Sequence, residues 1–157
     1  MRKRIMGRTS GALSAVAPHW LDVEREAEVE VTSEDALHPI ESALRPGGPG
    51  CWRAAGPGLQ TLRLSFDTPQ RLTRIHLEFE EREAARTQEF VLRWSGDEGV
   101  TYREILRQQY TFSPGDTVRE VEDYSVTLEG VTTLELQIIP NIAGGTMLAS
   151  LMAWAVA

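Results

Sequence analysis

Thr87 to Tyr110, TQEFVLRWSGDEGVTYREILRQQY, decides the fold class. Phe90, Leu92 and Trp94 fall on one side of a period-two pattern, with Glu89, Arg93 and Ser95 on or near the other, which is the signature of a half-buried strand. Ser95-Gly96-Asp97-Glu98-Gly99 then supplies turn residues, with Gly96 and Gly99 free to take positive φ, before Tyr102, Glu104 and Leu106 open a second pattern. The unit reads as a β-hairpin with Phe90, Leu92 and Trp94 in the core.

The same period recurs along the chain. Leu62, Leu64 and Phe66 alternate with Arg63 and Ser65; Ile75, Leu77 and Phe79 alternate with His76, Glu78 and Glu80; Leu134, Leu136 and Ile138 alternate with Glu135 and Gln137. Turn residues separate these runs at Asp67-Thr68-Pro69, Ser113-Pro114-Gly115-Asp116, Glu129-Gly130 and Pro140 to Gly145, at spacings near the roughly 8 to 12 residues of a sandwich or barrel. No long helical stripe competes. With 157 residues, 41% of them hydrophobic, the chain is the size of one all-β domain, expected over residues 23–157.

Residues 1–22 read as a basic, flexible extension, because Arg2, Lys3, Arg4 and Arg8 all lie within the first eight. Subtracting those four charges from the net charge of −7 leaves −11 on the remainder, so nucleic acid is not an expected partner. No run approaches the roughly 18 apolar residues of a membrane span. Ala15-Val16-Ala17 resembles a signal-peptidase site but no clean apolar core precedes it, and one cysteine cannot form an internal disulfide; a cytoplasmic location is therefore expected.

Catalytic and metal-binding patterns are lacking. His19, His38 and His76 are dispersed, and Cys51 has no Cys or His neighbour of zinc spacing. Cys51 beside Trp52 reads as a small buried filler rather than a nucleophile with His38 as its base. The runs Glu80-Glu81-Glu83 and Glu120-Glu122-Asp123 read as solvated faces and edges of strands. Gly47-Gly48-Pro49-Gly50 lacks the lysine and helix of a phosphate loop. The chain is expected to be no enzyme.

The order of elements resembles the discoidin, or coagulation factor type C, domain of the galactose-binding-like superfamily, which includes many bacterial carbohydrate-binding modules. The likeness runs from about Val29 to Val156. It rests on Val31-Thr32-Ser33, on Trp52 after a long first loop, on Gln60 to Phe66 followed by Asp67-Thr68-Pro69, on Leu72 to Phe79, on an Arg before Phe90-Val91-Leu92, and on Ser95 leading a Gly-Asp turn. The resemblance implies an eight-stranded antiparallel jelly-roll β-sandwich that binds ligands through loops at one end. Members holding structural calcium carry Asp-Gly and Thr before the Trp and a Glu near the last strand. Here Arg45 to Cys51 and Ala149-Ser150-Leu151 stand in those places, so no cofactor is expected; carbonyls of the Gly-Pro loop are the remaining route to calcium.

Three long loops are candidates to converge at one end: Ser33 to Cys51, Glu80 to Thr87 and Pro140 to Ala149. They nominate His38, Arg45, Trp52, Arg82, Arg86 and Asn141 as ligand-binding residues. A tryptophan could stack on a sugar face while Arg and Asn bond hydroxyls, although the family position of Trp52 equally suits core packing. Arg82 and Arg86 have ion pairs with Glu81, Glu83 or Glu89 as their alternative. Asn141 precedes a Gly-Gly that would let backbone approach a ligand, and is otherwise a turn residue. A second polar row, Arg103, Arg107 and Gln109, could form a shallow groove or simply face solvent. Two functions follow: a non-catalytic module recognising a carbohydrate through its loops, or an intracellular protein-interaction or assembly domain of the same fold.

Overall fold

The computed structural model describes residues 19–45 and 47–157. The expected extension therefore lies mostly outside the described residues. Among the described residues two short helices, α1 (Val23–Glu26) and α2 (Glu41–Leu44), accompany eight strands: β1 (Ala27–Val31), β2 (Trp52–Pro57), β3 (Gln60–Glu80), β4 (Arg86–Ser95), β5 (Arg103–Phe112), β6 (Arg119–Ile139), β7 (Leu148–Leu151) and β8 (Ala153–Val156).

Strands β3 and β6, each of 21 residues, pair antiparallel along their length and run through both layers of the sandwich. Their register shifts between Ser65 and Arg74, where the Asp67-Thr68-Pro69 segment falls and regular pairing is interrupted. On one side of this break the halves of β3 and β6 carry β1, β4 and β5 in the order β1-β3-β6-β4-β5. On the other side the remaining halves pair with each other and with β8. Strands β2 and β7 form a separate two-stranded ladder.

The core lies between the layers and follows the alternation. Leu62, Leu64, Leu134, Leu136, Ile138, Phe90 and Leu92 come from the larger layer, and Ile75, Leu77, Phe79, Trp154 and Val156 from the smaller; all are buried. Phe79 and Phe90, which belong to different layers, stack at 5.2 Å between ring centroids. The expected β-sandwich is thus the observed one, with two strands long enough to serve both sheets.

Strands β4 and β5 form the expected hairpin, from Arg86 opposite Phe112 to Trp94 opposite Arg103. Its turn is set by Asp97, whose carboxylate accepts the Ser95 hydroxyl at 2.6 Å and both the N–H and the hydroxyl of Thr101, at 2.9 and 2.6 Å. Those donors hold its pKa down at about 2. Of the two turn glycines only Gly99 has positive φ, at 85°, and a Cβ there would meet the Tyr102 hydroxyl at 3.1 Å; the other left-handed residue is Glu98 rather than Gly96.

Two expectations about this hairpin need correcting. Leu92 pairs with Leu106 but Arg93 pairs with Glu104, so Ile105 is an extra residue that bends the strand and changes its parity. Arg103 consequently faces Trp94 and lies over its ring at 5.7 Å, while Arg107 and Gln109 turn to the other face and donate to Glu89 at 2.9 and 3.0 Å. The polar row therefore splits, and its larger part is held by Glu89 of β4. Trp94, at the end of the strand, is half-buried rather than core.

Candidate functional site

The three long loops do meet. Arg86, at the start of β4, donates to the carbonyl of Pro140 at 2.7 Å, and the N–H of Ile142 bonds the carbonyl of Thr87 at 2.9 Å, which fastens the β6–β7 loop to β4. The β1–β2 loop returns onto β2, with the N–H of Asp35 on the Arg53 carbonyl and the N–H of Arg53 on the His38 carbonyl, at 2.8 and 3.1 Å. Glu81 shapes the β3–β4 turn. Its carboxylate accepts the N–H groups of Glu83 and Ala84 at 3.0 and 3.3 Å and Arg86 Nε at 2.8 Å. Burial pushes the Glu81 pKa up, but those N–H donors and the Arg86 charge outweigh it, so the carboxyl lies below its ordinary value.

Between the loops lies an open depression of ≈ 480 Å³. Its polar lining comes from Arg53, Glu80, Arg82 and Glu83, and its apolar wall from Met147, Leu148 and Met152, with the Cys51 thiol beside them. Arg82 pairs with Glu80. Arg53 is exposed and has no ion pair among the described residues, leaving its five-donor fork available. Cys51 is half-buried, and burial raises its pKa, so it is a neutral thiol rather than a nucleophile.

Of the six nominated residues, Arg82 alone lines this depression. Trp52 is 0% exposed and its indole N–H donates to the Ser33 carbonyl at 3.1 Å; it packs in the core and offers no stacking face. Arg86 is 4% exposed, held by Glu81 and Pro140 and lying over the Phe112 ring at 5.0 Å. Its role is to bolt two loops together, because burying a guanidinium without such partners would be strongly destabilising. His38 joins Asp35 at 3.0 Å inside its own loop, where the Leu37 N–H and then His38 lower the Asp35 pKa. Arg45 is exposed and forks onto Glu24 at 2.9 and 3.2 Å, a pairing that raises its pKa. Asn141 closes an Asx turn by accepting the Ala143 N–H at 3.2 Å, and its amide lies 3.8 Å from the sulfur of Met147. It thus steadies a residue of the depression without lining it; Gly144 and Gly145, at φ 85° and 101°, complete the turn.

Sequence reading missed Arg53, although a signal was present. Trp52 and Ala54 are buried and Arg53 between them is exposed, so period two at the start of β2 already aims this arginine outward at the loop end. Another correction concerns the acidic runs: Glu120 is 1% exposed, not a solvated edge. Among the described residues no three His, Cys, Asp or Glu side chains are grouped to hold a metal ion.

No protein-family model matches the chain, and no curated protein matches its sequence. Solved structures do. The third family 32 carbohydrate-binding module of a family 31 glycoside hydrolase from Clostridium perfringens superposes with a TM-score of 0.63 at 15% identity, covering 87% of this chain and 93% of that one. The family 32 module of NanJ from the same organism, solved with galactose, gives 0.61 at 12% identity over 87% and 96%. Chitosan-binding module 1 of a chitosanase/glucanase from Paenibacillus sp. IK-5 gives 0.54 at 17% identity over 87% and 98%. Each is covered nearly end to end, and the layers, loops and strand order described above accordingly give this chain the β-sandwich fold of these carbohydrate-binding modules.

Proposed function

We propose that the protein is a non-catalytic carbohydrate-binding module whose ligand occupies the depression formed by the β1–β2, β3–β4 and β6–β7 loops. The observation that carries this reading is the convergence of those loops, on a rigid sandwich, around an open ≈ 480 Å³ site with polar groups on one side and an apolar wall on the other. Arg53 and Arg82 donate to sugar hydroxyls, Glu83 and Glu80 accept from them, and Met147, Leu148 and Met152 meet the apolar C–H face in place of an aromatic ring. A binding role rather than catalysis is supported by the lining chemistry: the Cys51 thiol stays protonated, and Glu80 and Glu81 are engaged by Arg82 and Arg86. Among the neighbouring folds, one module was solved with galactose and another is a chitosan-binding module.

Calorimetry with galactose and with chitosan oligosaccharides tests the reading. Saturable binding to at least one of them, weakened about tenfold by Arg53→Ala at unchanged melting temperature, is expected. Absence of heat with both, in a folded protein, contradicts it. The alternative, an assembly domain, has its own support in Leu37 and Ile142, which are exposed on two of the same loops, and in Leu148 at the rim. A stable protein partner displaced by Ile142→Asp, without any sugar binding, would establish that alternative.

A further inference from the structure

We propose that a second pocket, at the far end of the sandwich from the depression, binds a saccharide unit through two adjacent hydroxyl groups. This pocket, of ≈ 230 Å³, is lined by Trp94, Gly96, Asp97, Thr101 and Arg103, none of which lines the depression. Strand β4 separates the two sites: from Arg86, which fastens the loops of the first, to Trp94 is about 27 Å at roughly 3.4 Å per residue of extended strand. The pocket is built by the β4–β5 turn. Trp94 near the end of β4 stands opposite Arg103 at the start of β5, and the guanidinium lies over its ring at 5.7 Å. Gly96 leaves the edge of that ring uncovered, since a Cβ there would meet Trp94 Cζ3 at 3.5 Å.

Two opposite charges border this pocket without meeting. Asp97 is committed to its own turn, where Oδ1 accepts the Ser95 hydroxyl and the Thr101 N–H and Oδ2 accepts the Thr101 hydroxyl. Arg103 is exposed and, like Arg53 in the depression, forms no ion pair among the described residues, whereas Arg93 and Arg107 on either side of the hairpin are both paired. A gap between a donor fork and an acceptor is complementary to a vicinal diol: one hydroxyl accepts from the guanidinium while the next donates to the carboxylate. A carboxylate has about four acceptor sites, and the bonds of the turn leave one free on Oδ2. Those same bonds hold the acceptor in place, so binding has little ordering left to do there. Trp94 supplies an apolar wall for the C–H face of a pyranose, and the volume suits a single ring rather than a longer chain. A simple anion would be drawn by Arg103 and repelled by Asp97, and a simple cation the reverse, so a neutral hydroxylated unit is the chemistry that satisfies both.

The test follows the Trp94 indole N–H signal of the full-length, 15N-labelled protein, assigned through the backbone, in separate titrations with galactose, glucose and mannose, and with tetrahydropyran, the bare ring, as control. The expected result is a saturable shift with at least one sugar and none with tetrahydropyran. Arg103→Gln should weaken that binding about tenfold at unchanged melting temperature, and Arg103→Lys, which keeps the charge but loses the fork, by a smaller factor. Arg53→Ala should leave it unchanged. A Trp94 signal unmoved by all three sugars, an equal shift with tetrahydropyran, binding at full strength in folded Arg103→Gln, or a response lost in Arg53→Ala overturns the proposal. Because Arg53 and Arg103 stand in separate sites, failure at one is distinguishable from failure at the other.

Discussion

Strand β6 buries two glutamates, one in each half, and the two halves solve the same problem in opposite ways. Glu135 is 0% exposed on the outer face of the larger layer, where the register sets it directly opposite Arg63 on one side and Arg93 on the other. Each arginine donates to one carboxylate oxygen, at 2.8 and 2.7 Å, and Tyr102 lies over the Arg93 guanidinium at 4.4 Å. Glu120, 1% exposed, has instead the Gln88 amide at 3.2 Å and a second carboxylate, Glu122, two residues on. Burial first, and Glu122 second, raise its pKa to about 9, so it is a neutral acid at physiological pH. A buried carboxyl thus survives by gaining cations in one half and a proton in the other.

The largest effect should come from removing the first solution. Glu135→Ala leaves Arg63 and Arg93 facing each other across an empty position, at a cost of about 2–3 kcal/mol once their partial exposure is allowed for, read from urea unfolding. Glu120→Gln should do the opposite and stabilise the fold, raising Tm by roughly 2–4 °C at neutral pH. The sign follows from linkage: with a folded pKa near 9 against an ordinary 4.5, the native state keeps a proton that the unfolded chain releases, so stability falls as pH rises between those values. In Glu120→Gln that decline should be absent from a Tm profile across the same window. Arg93→Ala, with Glu135 still held by Arg63, should cost about 1 kcal/mol and be non-additive with Arg63→Ala in a double-mutant cycle. Breaking the exposed pair of Arg71 and Glu129, which are 60% and 66% exposed, should leave the unfolding midpoint unchanged.

These glutamates also mark where the sequence stops being legible. Alternation revealed the strands because runs such as Ile75, Leu77 and Phe79 keep one face uniformly apolar, and the hairpin at Thr87 to Tyr110 was readable for the same reason. A polar residue in such a pattern reads as solvent-facing. Nothing local announces that Tyr102 and two arginines from other strands will cover Glu135, or that Glu120 will be enclosed with Gln88. The bulge at Ile105 was hidden too, since one extra residue leaves a plausible alternation on either side. The loops of the candidate site were legible as loops, but the hydrogen bonds that shape them engage His38, Arg86 and Asn141, which the sequence nominated as ligand-binding residues. Arg53 and the methionine wall come together only when β2 and β7 pair.

The central claim, that the three-loop depression is the carbohydrate site, is tested most directly through Met147 and Met152, which both line it. With 13C-methyl-methionine labelling, titration with galactose or chitosan oligosaccharides should shift both methyl signals along one saturable curve. Arg53→Ala should weaken that response about tenfold without altering the spectrum of the free protein. Methionine signals that stay fixed while the sugar binds elsewhere, or a protein that binds neither probe, would contradict the account.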